Sequence, residues 1–157
     1  MIPKFIKSNP LYWAFFIPAA IDGIVTLLGQ DTTYWSNYRS VNEGSPAWII
    51  LATHPALFIL GSVIWFISWY FMYKKLKEPF NMMITIAFIA GHTWGSSSWI
   101  SRFLGNADLY SNANRLGWYA LVTYFIFLGV VCGSLINLHI KGLTKIDSWI
   151  RRYYEVY

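Results

Sequence analysis

Three ionisable side chains stand where a chain of this composition should carry none. Asp22, His54 and His92 each fall inside a long apolar run. Two imidazoles and a carboxylate are a donor set for a divalent metal such as zinc or iron. Glu43 is available as a fourth ligand or as a general base. A zinc ion with an open position would activate water for attack on an ester, phosphate or amide. Without a metal, Asp22 could orient a histidine as a general base, with Ser96, Ser97 or Ser98 as nucleophile. The two histidines also leave a bis-histidine haem open. The candidate catalytic residues are therefore Asp22, Glu43 and His92, and the candidate metal ligands Asp22, His54, His92 and Glu43.

The elements that would position these residues are membrane spans. The chain is 56% hydrophobic, 20% aromatic and only 12% charged. Charged residues make up roughly a quarter of a typical soluble domain. A span needs about 20 mainly apolar residues. Four stretches qualify, at about 11–29, 46–73, 80–101 and 117–140. The expected fold is a single all-α domain, a four-transmembrane-helix bundle. A basic start followed by an apolar run also suits a secretory signal. Asp22 interrupts the apolar core and no small-x-small cleavage site follows, so a retained first span is expected.

Charge sets the expected orientation. Lys4, Lys7, Lys74, Lys75, Lys77, Lys141, Lys145, Arg151 and Arg152 flank one side, against Arg39, Arg102 and Arg115 on the other. The positive-inside rule then puts both termini in the cytoplasm, in a plasma (inner) membrane. This distribution accounts for the net charge of +5, so nucleic acid is not an expected partner. The expected partners are the bilayer and other membrane subunits or further copies of the chain. Past the fourth span, Leu143, Ile146, Trp149, Ile150 and Tyr153 recur at helical spacing. They predict a short interfacial helix over about 143–154.

Helix rise places the three ionisable residues. Counted from the expected outer ends, Asp22, His54 and His92 sit roughly 10–14 Å below the outer boundary. Residues of this kind normally face a bundle interior and find partners there. Thr26 and Gln30 continue a polar stripe outward from Asp22, and Asn42 and Glu43 could close over it. The serines after His92 would line a water-accessible funnel. The spacings Gly91–Gly95 and Gly129–Gly133 predict that spans three and four pack together. Pro18 and Pro55 should free the carbonyls of Ala14 and Leu51. Cys132 reads as a packing residue and His139 as an interfacial one.

The stretches "IDGIVTLLGQ", "NEGSPAW" and "HPALF" resemble an uncharacterised group of small four-span prokaryotic membrane proteins. In that group an Asp-x3-Thr in the first span precedes a Glu-x-Asn-Pro-like turn opening the second. Asp22 and Thr26 match the first element; Glu43 and Pro46 match the second, with Ser45 in the place of Asn. The resemblance covers about the first third of the chain and carries no activity. It implies that Asp22, Thr26, Glu43 and Pro46 act as one unit.

From the residues alone, the expected function is a metal-dependent enzyme acting on a lipid or amphipathic substrate at the outer leaflet. A non-catalytic subunit of a larger membrane complex is the alternative.

Overall fold

The computed structural model describes the backbone of residues 3–110 and 115–154, with side chains through residue 144. Among these residues every regular element is helical. A short α1 (Lys4–Ser8) leads into α2 (Pro10–Leu28), which begins with proline at its first turn. That position has no partner for an N–H, so proline is suited to it. The connection after α2 holds α3 (Thr32–Ser36), a 3-10 turn (Tyr38–Ser40) and α4 (Trp48–Leu51). The long helices α5 (Pro55–Lys75), α6 (Phe80–Asn106) and α7 (Leu116–Tyr154) follow.

Three helices are long and apolar enough to cross a membrane: Pro10–Leu28, Pro55–Lys75 and Leu116–Thr144 within α7. The 27-residue α6 is longer than α2 or α5, but it is not among these apolar spans. The polar run around His92 lowers its hydropathy. Large apolar side chains point outward over much of the surface, Trp94 at 80% exposure being the extreme. Facing water, so extensive an apolar exterior would be a liability; facing hydrocarbon it is solvated.

The hub of the bundle is α2, which packs on α5, α6 and α7, most extensively on α6. Its buried face carries Leu11, Ala14, Phe15, Pro18, Ala19 and Thr26. Lipid tails are as apolar as leucine, so packing and interhelical hydrogen bonds must hold such helices together. Aromatic packing is dense here: the Phe15 ring lies 4.8 Å from Phe88 and 5.2 Å from Trp65. Pro18 leaves the Ala14 carbonyl without its helical donor, and the Cys132 thiol of α7 donates to it at 3.3 Å. The cysteine is a packing residue with a second task.

Three expectations need correction. The second span does not begin at Pro46. Pro55 opens α5 with His54 as its N-cap, in extended backbone with φ −169° and ψ 134°. A residue before proline is pushed out of the helical region, so the chain breaks there and α4 stays separate. The Leu51 carbonyl accepts instead from the buried Tyr34 hydroxyl at 3.0 Å.

The glycine pairs do not join α6 to α7. A Cβ at Gly91, Gly129 or Gly133 would meet nothing within 4 Å. Gly95 instead faces α2, where an added Cβ would lie 2.7 Å from Asp22 Oδ1. The Gly95 site accommodates the carboxylate between two closely approaching helices.

No separate interfacial helix follows the last span, because α7 runs unbroken through 143–154. At 1.5 Å per residue its 39 residues extend about 58 Å. The side chains of Ile146, Trp149, Ile150 and Tyr153 lie outside the described residues.

Candidate functional site

Asp22 on α2 and His92 on α6 meet directly. Asp22 Oδ2 and His92 Nδ1 are 2.9 Å apart, with both side chains partly exposed at 20% and 26%. The contact forms because Gly95, nearly one turn beyond His92, lets α6 approach the carboxylate. Three aromatic rings surround the imidazole: Trp65 at 5.7 Å, Phe88 at 6.1 Å and Phe15 at 6.2 Å. They come from α5, α6 and α2, so the pair sits where three long helices converge. Among the described residues the His92 Nε2 atom has no hydrogen-bond partner. A carboxylate on one ring nitrogen fixes the tautomer and leaves the other nitrogen to do chemistry.

The other candidates are held elsewhere. His54 caps α5, its Nδ1 accepting from the Ala56 N–H at 3.1 Å. Its ring packs on Tyr38 at 5.0 Å and the residue is exposed. Gly23 lies against Phe58 on the antiparallel α5. The structure brings Asp22 and His92 together, and His54 is not part of that contact. Glu43 is engaged by its own turn, Oε1 accepting from the Ser45 N–H at 2.7 Å. Among the described residues no group of three or more His, Cys, Asp or Glu comes together as a metal ion would need.

The polar stripe above Asp22 closes rather than opens. Thr26 and Gln30 are both buried. The Gln30 amide accepts from the Asn42 N–H at 2.9 Å and donates to the Asn42 carbonyl at 3.3 Å. This two-sided bond holds the connection between α2 and α5 down on the end of α2. Arg102 reinforces it with a bidentate pair to Asp31 at 2.8 and 2.9 Å.

The serines do not line a funnel. Ser97 donates to the Trp94 carbonyl and Ser98 to the Gly95 carbonyl, each back into its own helix. Ser96 is fully buried, bonded to the His92 carbonyl at 2.7 Å and to the Tyr124 hydroxyl of α7 at 2.5 Å. None of the three is placed as a nucleophile on the imidazole. Their hydroxyls offset the polarity of a helix turn and, at Ser96, join α6 to α7.

Two partnerships were absent from the sequence reading. Tyr124 is one, and nothing separates it in sequence from the ten other tyrosines. The second is at the opposite end of the bundle. His139 Nε2 on α7 lies 2.7 Å from Glu78 Oε1 in the α5–α6 turn.

Three helices long and apolar enough to cross a membrane indicate a helical membrane protein, and Asp22 and His92 form a carboxylate–imidazole pair between α2 and α6. Comparisons with protein-family models, curated proteins and solved structures gave no match to the chain.

Proposed function

We propose that the chain is a four-span integral membrane protein with both termini on the basic, cytoplasmic side. In this reading α6 is the remaining span, screened by α2. The Asp22–His92 dyad works as a membrane-embedded general base toward a lipid or amphipathic substrate entering from the outer half. The observation that carries this is the Nδ1–carboxylate bond with Nε2 left without a partner. His92 Nε2 would take a proton from water as the water oxygen bonds to a carbonyl carbon or phosphorus, while Asp22 holds the ring; the bond to the leaving oxygen or nitrogen then breaks, and the imidazolium returns the proton to that leaving atom.

The donor geometry favours a base over a metal centre. Asp22 is engaged by His92, and His54 and Glu43 have partners of their own. A zinc or iron ion would have to draw most of its ligands from water, substrate or a second chain.

The experiment is hydrolysis of fluorogenic ester, phosphodiester and amide lipids by protein reconstituted in bilayers. His92→Ala should fall to the protein-free rate, and Asp22→Asn by about 10²-fold or more. A wild-type rate equal to that of protein-free bilayers on all three classes would overturn the proposal.

One observation favours a second reading, a non-catalytic subunit of a larger assembly. Gly129 and Gly133 present an open, small-residue face on α7. Such faces let a partner helix approach closely. A single chain as the only species after extraction in mild detergent would contradict that reading.

A further inference from the structure

The chain ahead of α5 is more apolar than a single crossing needs. No Asp, Glu, Lys or Arg stands between Glu43 and Lys74, a run of 30 residues. The 21 residues of α5 already extend about 31 Å, against about 30 Å of hydrocarbon. Residues 44–54 are surplus to that span. They nevertheless include Trp48, Ile49 and Ile50, exposed at 48%, 58% and 41%.

This surplus does not stand ahead of α5 as its continuation. A methyl group added at Gly61 would lie 3.9 Å from Ile50 Cδ1. On one straight helix these two residues, eleven apart, would be separated by about 16 Å along the axis. The break at His54 therefore turns α4 back beside α5, and Ile50 reaches the second turn of that helix. Leu57 and Ile64, one turn to either side of Gly61, are exposed as well. The apolar surface of α4 is thus continuous with that of α5, a helix long and apolar enough to cross a membrane. Because α5 has almost no length to spare, a crossing puts its second turn inside the hydrocarbon, and Ile50 with it.

The backbone of this turn is suited to that depth. A single helical turn ordinarily leaves its end groups to water. Here every N–H from Trp48 to His54 donates to a carbonyl of residues 45–50. Every carbonyl from Ser45 to Leu51 accepts a bond. Two of them need side chains: the Thr53 hydroxyl serves Ile49, and the buried Tyr34 hydroxyl serves Leu51, each at 3.0 Å. Hydrocarbon admits backbone only where its polar groups are satisfied internally. The exposed residues Trp48, Ile49 and Ile50 meet that condition.

We infer that residues 45–54 form a membrane-inserted turn, with Trp48, Ile49 and Ile50 among the lipid acyl chains of the leaflet where α5 begins. The occupant follows from continuity with the lipid-facing surface of α5 and from the closed backbone. The inference rests on the proposed placement of α5 across the membrane. It does not rest on the chemistry of Asp22 and His92, so either can fail alone.

The test is spin labelling of the full chain in phosphatidylcholine bilayers. Cys132→Ser removes the native thiol and keeps a donor for the Ala14 carbonyl. In that background Ile49→Cys, Ile64→Cys and Arg39→Cys each carry one nitroxide. Ile64 reports the α5 surface, and Arg39 is an exposed charged residue of the same connection. Power saturation reads collisions with oxygen, which concentrates in hydrocarbon, and with a water-soluble nickel chelate. The Ile49 label should match the Ile64 label, open to oxygen and closed to nickel, while the Arg39 label stays open to nickel. Trp48→Cys repeats the reading at a second site, so misfolding of one variant does not leave the question open. Nickel access at Ile49 equal to that at Arg39, with Ile64 closed, overturns the inference alone. Nickel access at Ile64 overturns the placement of α5 and the inference with it. A label at Ile49 closed to both reagents means that protein covers α4, which overturns the acyl-chain occupant.

Discussion

Asp22 and His92 are 70 residues apart in the chain and 2.9 Å apart in the fold. Gly95 is the condition for that contact. A methyl group there would lie 2.7 Å from one carboxylate oxygen and 2.9 Å from the other. The helix backbone cannot recede without separating α6 from α2. Gly95→Ala should therefore destabilise the bundle by about 1–3 kcal/mol, the usual cost of overpacking. Gly91→Ala on the same helix meets open space and should be neutral or stabilising by up to about 1 kcal/mol. Reversible unfolding in mixed micelles compares the two. Equal effects would contradict the placement of Gly95 at the α2 interface.

The Pro18–Cys132 relationship makes a coupled prediction. The Cys132 thiol serves a carbonyl that proline has left without a helical donor. Cys132→Ala should cost about 1 kcal/mol. Pro18→Ala restores an N–H for the Ala14 carbonyl, so Cys132→Ala should cost less in that background. A double-mutant cycle on unfolding free energy measures the coupling. Additive effects would mean that the thiol does not serve that carbonyl.

Tyr34 should make the connection between α2 and α5 sensitive to alkali. Burial, with Tyr38 beside it adding, pushes the Tyr34 phenol above its ordinary value of 10.0. A group whose pKa is higher when folded stabilises fully below the unfolded value. That stabilisation is lost as pH rises from the unfolded value through the folded one. Unfolding should therefore become easier above pH 10 in wild type, and less so in Tyr34→Phe. At neutral pH the same substitution removes the bond to the Leu51 carbonyl and should cost about 1 kcal/mol. An identical alkaline profile in both proteins would refute this role.

Much of this architecture was legible in residue order, for reasons that can be named. Long apolar runs can only bury or face lipid, so helices over α2, α5 and α7 follow from composition. Asp22 and His92 stood out because an ionisable group inside such a run must find a partner. The break at His54–Pro55 was less visible. Proline inside an apolar run can either kink a span or open one, and only the Tyr34 hydroxyl waiting at Leu51 decides it. The glycine spacings misled because a small residue permits close approach without naming the neighbour. At Gly95 that neighbour is a carboxylate of α2, and at Gly129 and Gly133 the face is open. The Glu78–His139 and Ser96–Tyr124 partners depend on which helices adjoin, which hydrophobic patterning does not encode.

In the proposed dyad Asp22 holds Nδ1 of His92 and leaves Nε2 to take the proton. Imidazole 15N NMR of the protein in bilayers tests it most directly. The chain has three histidines, so His54→Gln and His139→Gln assign the signals. Neutral His92 should carry its proton on Nδ1 in wild type and lose that bias in Asp22→Asn. A His92 protonated on Nε2 in wild type, or unchanged by Asp22→Asn, would contradict it.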